Sequence, residues 1–260
     1  MKVNILAIGD VTGQVGIDIL FDKLRGLQKF YNAAFTVVNG ENAAGTGITP
    51  DQAGVLLNAG ADVITLGNHT WDRKEIKEFL DDSAYILRPA NFAPQTPGRG
   101  WGVFDASFGS VCVINMTGCG NIDRPYANEN PFFVADRILK QADAKVVLVD
   151  FHAEMTSEKH AMAYHLDGRV SAVWGTHTHV QTSDARVFPG GTGYITDLGM
   201  TGPCNSIIGV KPAQALSRFL GNPPGRLEAA DGPAKIEGAV FMIDTITGRC
   251  ISAEAFRIEN

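Results

Sequence analysis

Met1-Lys2-Val3-Asn4-Ile5-Leu6-Ala7-Ile8-Gly9-Asp10 opens the chain, a short apolar run that ends on Gly-Asp. The run is β-type and too brief for a membrane span or a secretory leader, so it reads as a first buried strand that delivers a carboxylate at its end. The same design recurs downstream. Phe35-Thr36-Val37-Val38 runs into Asn39-Gly40-Glu41-Asn42, and Val63-Ile64-Thr65-Leu66 runs into Gly67-Asn68-His69. Val146-Val147-Leu148-Val149 precedes Phe151-His152, and residues 170–174 precede Gly175-Thr176-His177-Thr178-His179. Between the first three strands lie helical patterns: Ile17, Ile19, Leu20, Leu24 and Leu27 on one face, residues 49–58 with Thr49 as cap and Pro50 in the first turn, and residues 74–80. A βαβαβ rhythm implies parallel strands, right-handed crossovers and ligand sites beyond the strand carboxyl ends.

The middle of the chain changes character. Residues 91–102 are rich in Pro and Gly, and Val103-Phe104 and 111–116 read as strands of a β-rich second layer. A helix is expected over 131–142. Residues 193–196, 239–244 and 251–257 alternate as antiparallel strands do, and 221–232 reads as a surface loop. The expected architecture is α/β, a sandwich of two mixed sheets with outer helices. No boundary divides the 260 residues, so residues 1–260 are expected to form a single domain.

Composition limits the function. A net charge of -6 provides no electrostatic footprint for duplex nucleic acid or an anionic membrane, yet it admits a small anionic ligand where metal ions reverse the local field. Four widely spaced cysteines, Cys112, Cys119, Cys204 and Cys250, form no C-x-x-C pair. They read as reduced thiols of a cytoplasmic protein. Exposed late strands make a homo-oligomer plausible.

Strand ends that emit oxygen and imidazole donors describe a metal centre at a sheet edge. On an extended segment His177 and His179 would face one side, about 7 Å apart at Cα, and address two neighbouring metals. Asp10 and Glu41 can serve as turn formers or caps. Together they offer a terminal and a bridging carboxylate, and ions about 3.5–4 Å apart need shared anionic oxygen. Glu41, after the Gly40 turn, is the expected bridge. Asn42 and Asn68 would add neutral carbonyl oxygens. His152 is either a further ligand or a satisfied core histidine. His69 directly follows Asn68, so the two cannot easily face one ion. A histidine beside two cations favours giving up its proton, which suits a general acid, the plain alternative being a structural core histidine; Asp72 either orients it or caps the following helix. His160 and His165 lie on a helical stretch, 158–166, at most at the site rim. A competing dinucleotide fingerprint, Gly9, Gly13 and Gly16 with Glu41 as the acidic residue, leaves the histidines without work and puts Asp10 where a pyrophosphate needs bare amides.

The order Gly-Asp, Asn-Gly-Glu-Asn, Gly-Asn-His, His, Gly-Thr-His-Thr-His resembles the calcineurin-like metallophosphoesterases, most closely their YmdB-like branch. Asn39 to Gly45, Gly67-Asn68-His69-Thr70-Trp71-Asp72, Asp150-Phe151-His152-Ala153-Glu154 and Thr196-Asp197-Leu198-Gly199-Met200 carry the likeness. The superfamily's Asp-x-His opening is here Asp10-Val11-Thr12, and its bridging aspartate is Glu41; the branch shares both departures. The resemblance implies a four-layer αββα sandwich and two metals. Metal one would take Asp10, Glu41, Asn42 and His179, and metal two would take Glu41, Asn68, His152 and His177. It also implies His69 as the proton donor. Mixed oxygen and nitrogen donors suit iron or manganese, and also zinc.

The implied activity is hydrolysis of a small phosphodiester, by resemblance a 2',3'-cyclic or 3',5'-cyclic nucleotide. The metals would bring a water toward neutral pKa for in-line attack, while His69 protonates the leaving oxygen. Two other readings stand beside it: a phosphomonoesterase or nucleotidase, and a regulatory nucleotide- or RNA-linked protein whose hydrolysis is incidental. The loops 121–130 and 201–208 are where specificity would lie.

Overall fold

A computed structural model of the chain describes residues 1–123, 129–223 and 225–260, so residues 124–128 of the expected specificity loop lie outside the described residues. The opening run is β1 (Lys2–Ile8), whose alternation sets the layering. Ile5 and Ala7 face one core and Leu6 and Ile8 face another, all of them buried.

After β2 (Asp10–Val11) come α1 (Gly13–Phe30), β3 (Ala33–Asn39), α2 (Pro50–Ala59), β4 (Val63–Thr65), α3 (Ile76–Asp82) and β5 (Ile86–Leu87). Strands β1, β3, β4 and β5 are parallel neighbours in that order, as the βαβαβ rhythm requires. Thr49 caps α2 as expected: its Oγ accepts from Gln52 N, and the Gln52 side chain accepts from Thr49 N.

The second sheet begins with the hairpin β6 (Trp101–Ala106) and β7 (Gly109–Thr117). It continues through α4 (Pro131–Leu139), β8 (Val146–His152), α5 (Thr156–Leu166) and β9 (Ala172–Thr176), and closes with β10 (Arg186–Val187) and β11 (Gly193–Ile195). Strands β7, β8 and β9 are parallel. The chain then returns to the first sheet with β12 (Met200–Pro203), α6 (Pro212–Phe219), β13 (Ala234–Asp244) and β14 (Cys250–Glu259).

Three apolar cores separate four layers. One lies between the first sheet and α1 to α3, with Leu20, Leu24, Leu56 and Ile64. The second joins the two sheets, with Ile5, Val37 and Val63 against Val113, Leu148 and Trp174. The third lies between the second sheet and α4 and α5, with Val149, Phe151, Met162 and Leu166. This is the αββα sandwich the resemblance implied.

Three readings change. Residues 193–195 pair in parallel with β9 as well as antiparallel with β10. The start of the 201–208 loop is strand β12, and α6 was not legible, since its short apolar stripe points to solvent at Leu216 and Phe219. Part of the 221–232 loop is tied back by a bridge between Val210 and Ala229. No helix among the described residues is long and apolar enough to cross a membrane.

The glycines that imitate a nucleotide fingerprint have a packing role. A Cβ on Gly9 would overlap the Gly199 carbonyl, and one on Gly16 would overlap the Thr201 carbonyl, so α1 and the β1–β2 corner need bare backbone to seat against β12. Gly26, on the same helix, has nothing within 4 Å of a built Cβ. Gly16→Ala is therefore expected to cost about 1–3 kcal/mol through overpacking. Gly26→Ala is expected to add about 0.5–1 kcal/mol through helix propensity. Urea unfolding of the two variants measures both signs.

Candidate metal centre

Both parallel strand sets end at one rim of the sandwich, and their ends bring the expected residues together. Asp10 lies in β2, Glu41 and Asn42 follow β3, Asn68 follows β4, His152 ends β8, and His177 and His179 follow β9. Asp10, Glu41, Asn42, Asn68 and His152 are buried. His69, His177 and His179 are half-buried.

The donors gather in two neighbouring clusters, one around His152 and one around His179. His152 Nε2 lies 2.5 Å from Glu41 Oε2, 3.2 Å from Asn68 Oδ1 and 3.0 Å from His177 Nδ1. His179 Nε2 lies 3.4 Å from Asn42 Oδ1 and 3.8 Å from Asp10 Oδ1. Donor atoms of Asp10, Glu41 and His152 fall within 4.8 Å of one another.

Each of the three imidazoles has one ring nitrogen with a partner outside the donor cluster. His179 Nδ1 is 2.8 Å from the Ile208 carbonyl, which only accepts, so Nδ1 carries the hydrogen. His177 Nε2 is 3.3 Å from the Glu154 carboxylate, and His152 Nδ1 is 2.9 Å from Thr176 Oγ1. The inward nitrogens approach one another and carboxylate oxygens. Asp10 Oδ1 and Glu41 Oε2 are buried with no hydrogen-bond partner. Acceptors facing acceptors repel unless a cation lies among them, so the residues present fit metal ions.

Charge regulation agrees. Burial, with Asp197, Glu41 and Asp150 nearby, holds the Asp10 carboxyl well above its usual range. Burial likewise raises Glu41. Burial lowers all three imidazoles, His177 to about 3, and keeps them neutral as ligands must be. A bound cation would favour the ionised carboxylates that burial disfavours. Asp150 is pushed up to about 6 by burial, against the pull of hydrogen bonds from Thr65, Thr176 and Asn39.

His177 and His179 do not lie on an extended segment. β9 stops at Thr176, and the two histidines take positive φ, 100° and 62°. Such backbone is costly for residues with a Cβ and persists only where its surroundings hold it. Here Thr178 is pinned between them: its N and Oγ1 both donate to Asp197 Oδ2, at 3.2 and 2.7 Å. The buried Lys159 ammonium pairs with the same oxygen at 2.7 Å. The turn, rather than strand alternation, aims one imidazole at each donor group.

His69 stands beside the donors. Its N donates to Glu41 Oε1 at 2.5 Å, and its Nδ1 is 2.9 Å from Asp72 Oδ2, which orients the ring as anticipated. It lines a cleft of about 990 Å³ with Asn42, His177, His179, Arg73 and Glu154. The far wall is Ile208 to Val210 with 226–229, not the 201–206 stretch. His160 and His165 do not line this cleft; they pair with Asp184 and Asp136. The supporting residues Glu154, Thr176, Asp197 and Ile208 were not legible as such, because a lone acidic, hydroxyl or carbonyl group carries no spacing signal.

A sequence model of the YmdB-like proteins matches residues 6–256. The chain belongs to this YmdB-like family. It is 44% identical to the 2',3'-cyclic-nucleotide 2'-phosphodiesterase of Bacillus subtilis (strain 168), covering 99% of this chain and 97% of that protein. A putative phosphatase/phosphodiesterase of Mycoplasma pneumoniae is 36% identical over 99% of this chain and 93% of its own length. Among solved structures, a novel phosphatase from Mycoplasma pneumoniae superposes with a TM-score of 0.94 at 35% identity, covering 100% of this chain and 94% of that one. A hypothetical protein from Thermus thermophilus gives 0.92 at 39%, covering 99% and 100%. This YmdB-like chain thus shares both fold and length with its relatives.

Gly67 tests the donor geometry. A Cβ there would overlap Glu41 Oε2 and His152 Nε2, filling the space among the donors. Gly67→Ala is expected to fold but to purify with little bound metal, read by elemental analysis against the parent protein.

Proposed function

We propose that this chain hydrolyses small cyclic nucleotides, 2',3'-cyclic nucleotides foremost, at a dinuclear metal centre. As a member of its family it is a phosphoric diester hydrolase. The observation that supports the reading is the gathering of Asp10, Glu41 and His152 donor atoms within 4.8 Å of one another, with Asp10 Oδ1 and Glu41 Oε2 buried without a hydrogen-bond partner. Asp10, Glu41, Asn42 and His179 would hold one ion, and Glu41, Asn68, His152 and His177 the other, iron or manganese foremost. Bound metals supply an acidified water and neutralise phosphate charge.

The remaining chemistry falls to side chains of the cleft. With Asp72 accepting from His69 Nδ1, the protonated ring keeps Nε2–H for the departing oxygen. The bond from His69 N to Glu41 Oε1 ties that acid to the shared carboxylate, so proton donor and metal donors keep a set distance. Arg73 donates to the Ala44 and Thr46 carbonyls and braces the loop that forms one cleft wall. The named activity of the Bacillus subtilis relative supports the 2',3'-cyclic substrate.

Turnover of 2',3'-cyclic, 3',5'-cyclic and terminal nucleotide phosphates by metal-loaded protein tests the substrate reading. Preference for the 2',3'-cyclic diester is expected, and cleavage of terminal phosphates alone would overturn it. His69→Ala should keep its metal and lose about 10²–10⁴-fold in kcat. Glu41→Ala should lose metal; if it still carried two ions, the shared role of Glu41 would fail.

A further inference from the structure

Asp150 belongs to neither donor group, yet it is fully buried and takes three side-chain hydrogen bonds. Asn39 Nδ2 and Thr65 Oγ1 donate to Oδ2 at 3.1 and 2.5 Å, and Thr176 Oγ1 donates to Oδ1 at 2.7 Å. Asn39 and Thr65 end β3 and β4 of the first sheet, Thr176 ends β9 of the second, and Asp150 lies two residues before the end of β8. The carboxylate therefore closes the inter-sheet core directly beneath the metal donors.

We propose that Asp150 is a positioning residue which, acting through Thr176, fixes the tautomer of His152 and thereby makes Nε2 a metal donor. The inference rests on the metal reading above and assigns a residue that reading leaves without work. A carboxylate only accepts, so the Thr176 hydroxyl hydrogen is committed to Asp150. Thr176 Oγ1 can then only accept from its neighbour 2.9 Å away, His152 Nδ1. A neutral imidazole carries one proton, which leaves Nε2 with a lone pair toward Glu41, Asn68 and His177. The opposite tautomer would set an N–H 2.5 Å from Glu41 Oε2. The site would then satisfy itself as an ordinary buried polar pair and lose a ligand. Asp150 thus decides between a metal site and a closed polar core.

The partners of Asp150 are themselves locked. Asn39 Oδ1 accepts from Glu41 N at 3.1 Å, which turns Asn39 Nδ2 toward Asp150. In Asp150→Asn the single carbonyl must therefore face Asn39 and Thr65, and the new amide hydrogens face Thr176. Thr176 would accept them and point its own hydrogen at His152 Nδ1, driving the ring proton to Nε2. The relay inverts with almost no change in volume. Thr176→Val removes the relay, and Thr176→Ser keeps it.

The test uses full-length protein stripped by chelation and titrated with Mn²⁺ against a competing chelator. Asp150→Asn and Thr176→Val should each bind Mn²⁺ about 10–100-fold more weakly than the parent, and Thr176→Ser should restore parental affinity. ¹⁵N-histidine NMR of the stripped protein should show the His152 proton on Nδ1 in the parent and on Nε2 in Asp150→Asn. Parental Mn²⁺ affinity in Thr176→Val, or a parental His152 protonated on Nε2, would overturn the proposal. Should Asp150→Asn fail to fold by circular dichroism, the Thr176 pair decides alone. The NMR readout is independent of substrate, so failure of the relay and failure of the phosphodiesterase reading are told apart.

Discussion

Glu41 Oε2 and His152 Nε2 lie 2.5 Å apart in a buried cluster, and much of the rim is arranged around that close approach. The outward ring nitrogens meet partners outside the cluster: His152 Nδ1 at Thr176, His177 Nε2 at Glu154 and His179 Nδ1 at the Ile208 carbonyl. A buried polar group ordinarily finds a partner within the protein. Here Asp10 Oδ1 and Glu41 Oε2 have none, a deficit that a cation would fill.

Holding such a centre demands stiffness around it. Three apolar cores clamp four layers, and the strand ends reach the rim from both sheets. The strained turn at His177 and His179 is secured by Asp197, whose charge is matched by the buried Lys159. Gly67 keeps side-chain volume out of the donor cluster. Breaking the Lys159–Asp197 pair would leave one buried charge uncompensated, a far larger penalty than losing a surface pair.

The order of strands and helices in the first half was legible because period-2 and period-3.6 patterns are local and strong there. So was the gathering of the candidate donors, since most stand at or just after the end of a strand of recognisable composition. The turn geometry of His177 and His179 was not, because Asp197, which imposes it, lies 19 residues from Thr178. Strand β12 and helix α6 escaped for related reasons: β12 is four residues long, and α6 presents an apolar stripe to solvent where none is expected.

Sequence alone determined which residue types stand at the strand ends, and hence that oxygen and imidazole donors collect at one rim. Backbone periodicity encodes that much within a few residues. Tertiary structure decided which atom of each donor faces the centre. His177 N reaches Asp10 across 167 positions, and Asn39 reaches Asp150 across 111. Tautomer and amide orientation depend on such distant partners, because a proton's location is settled by whichever acceptor folding brings nearest.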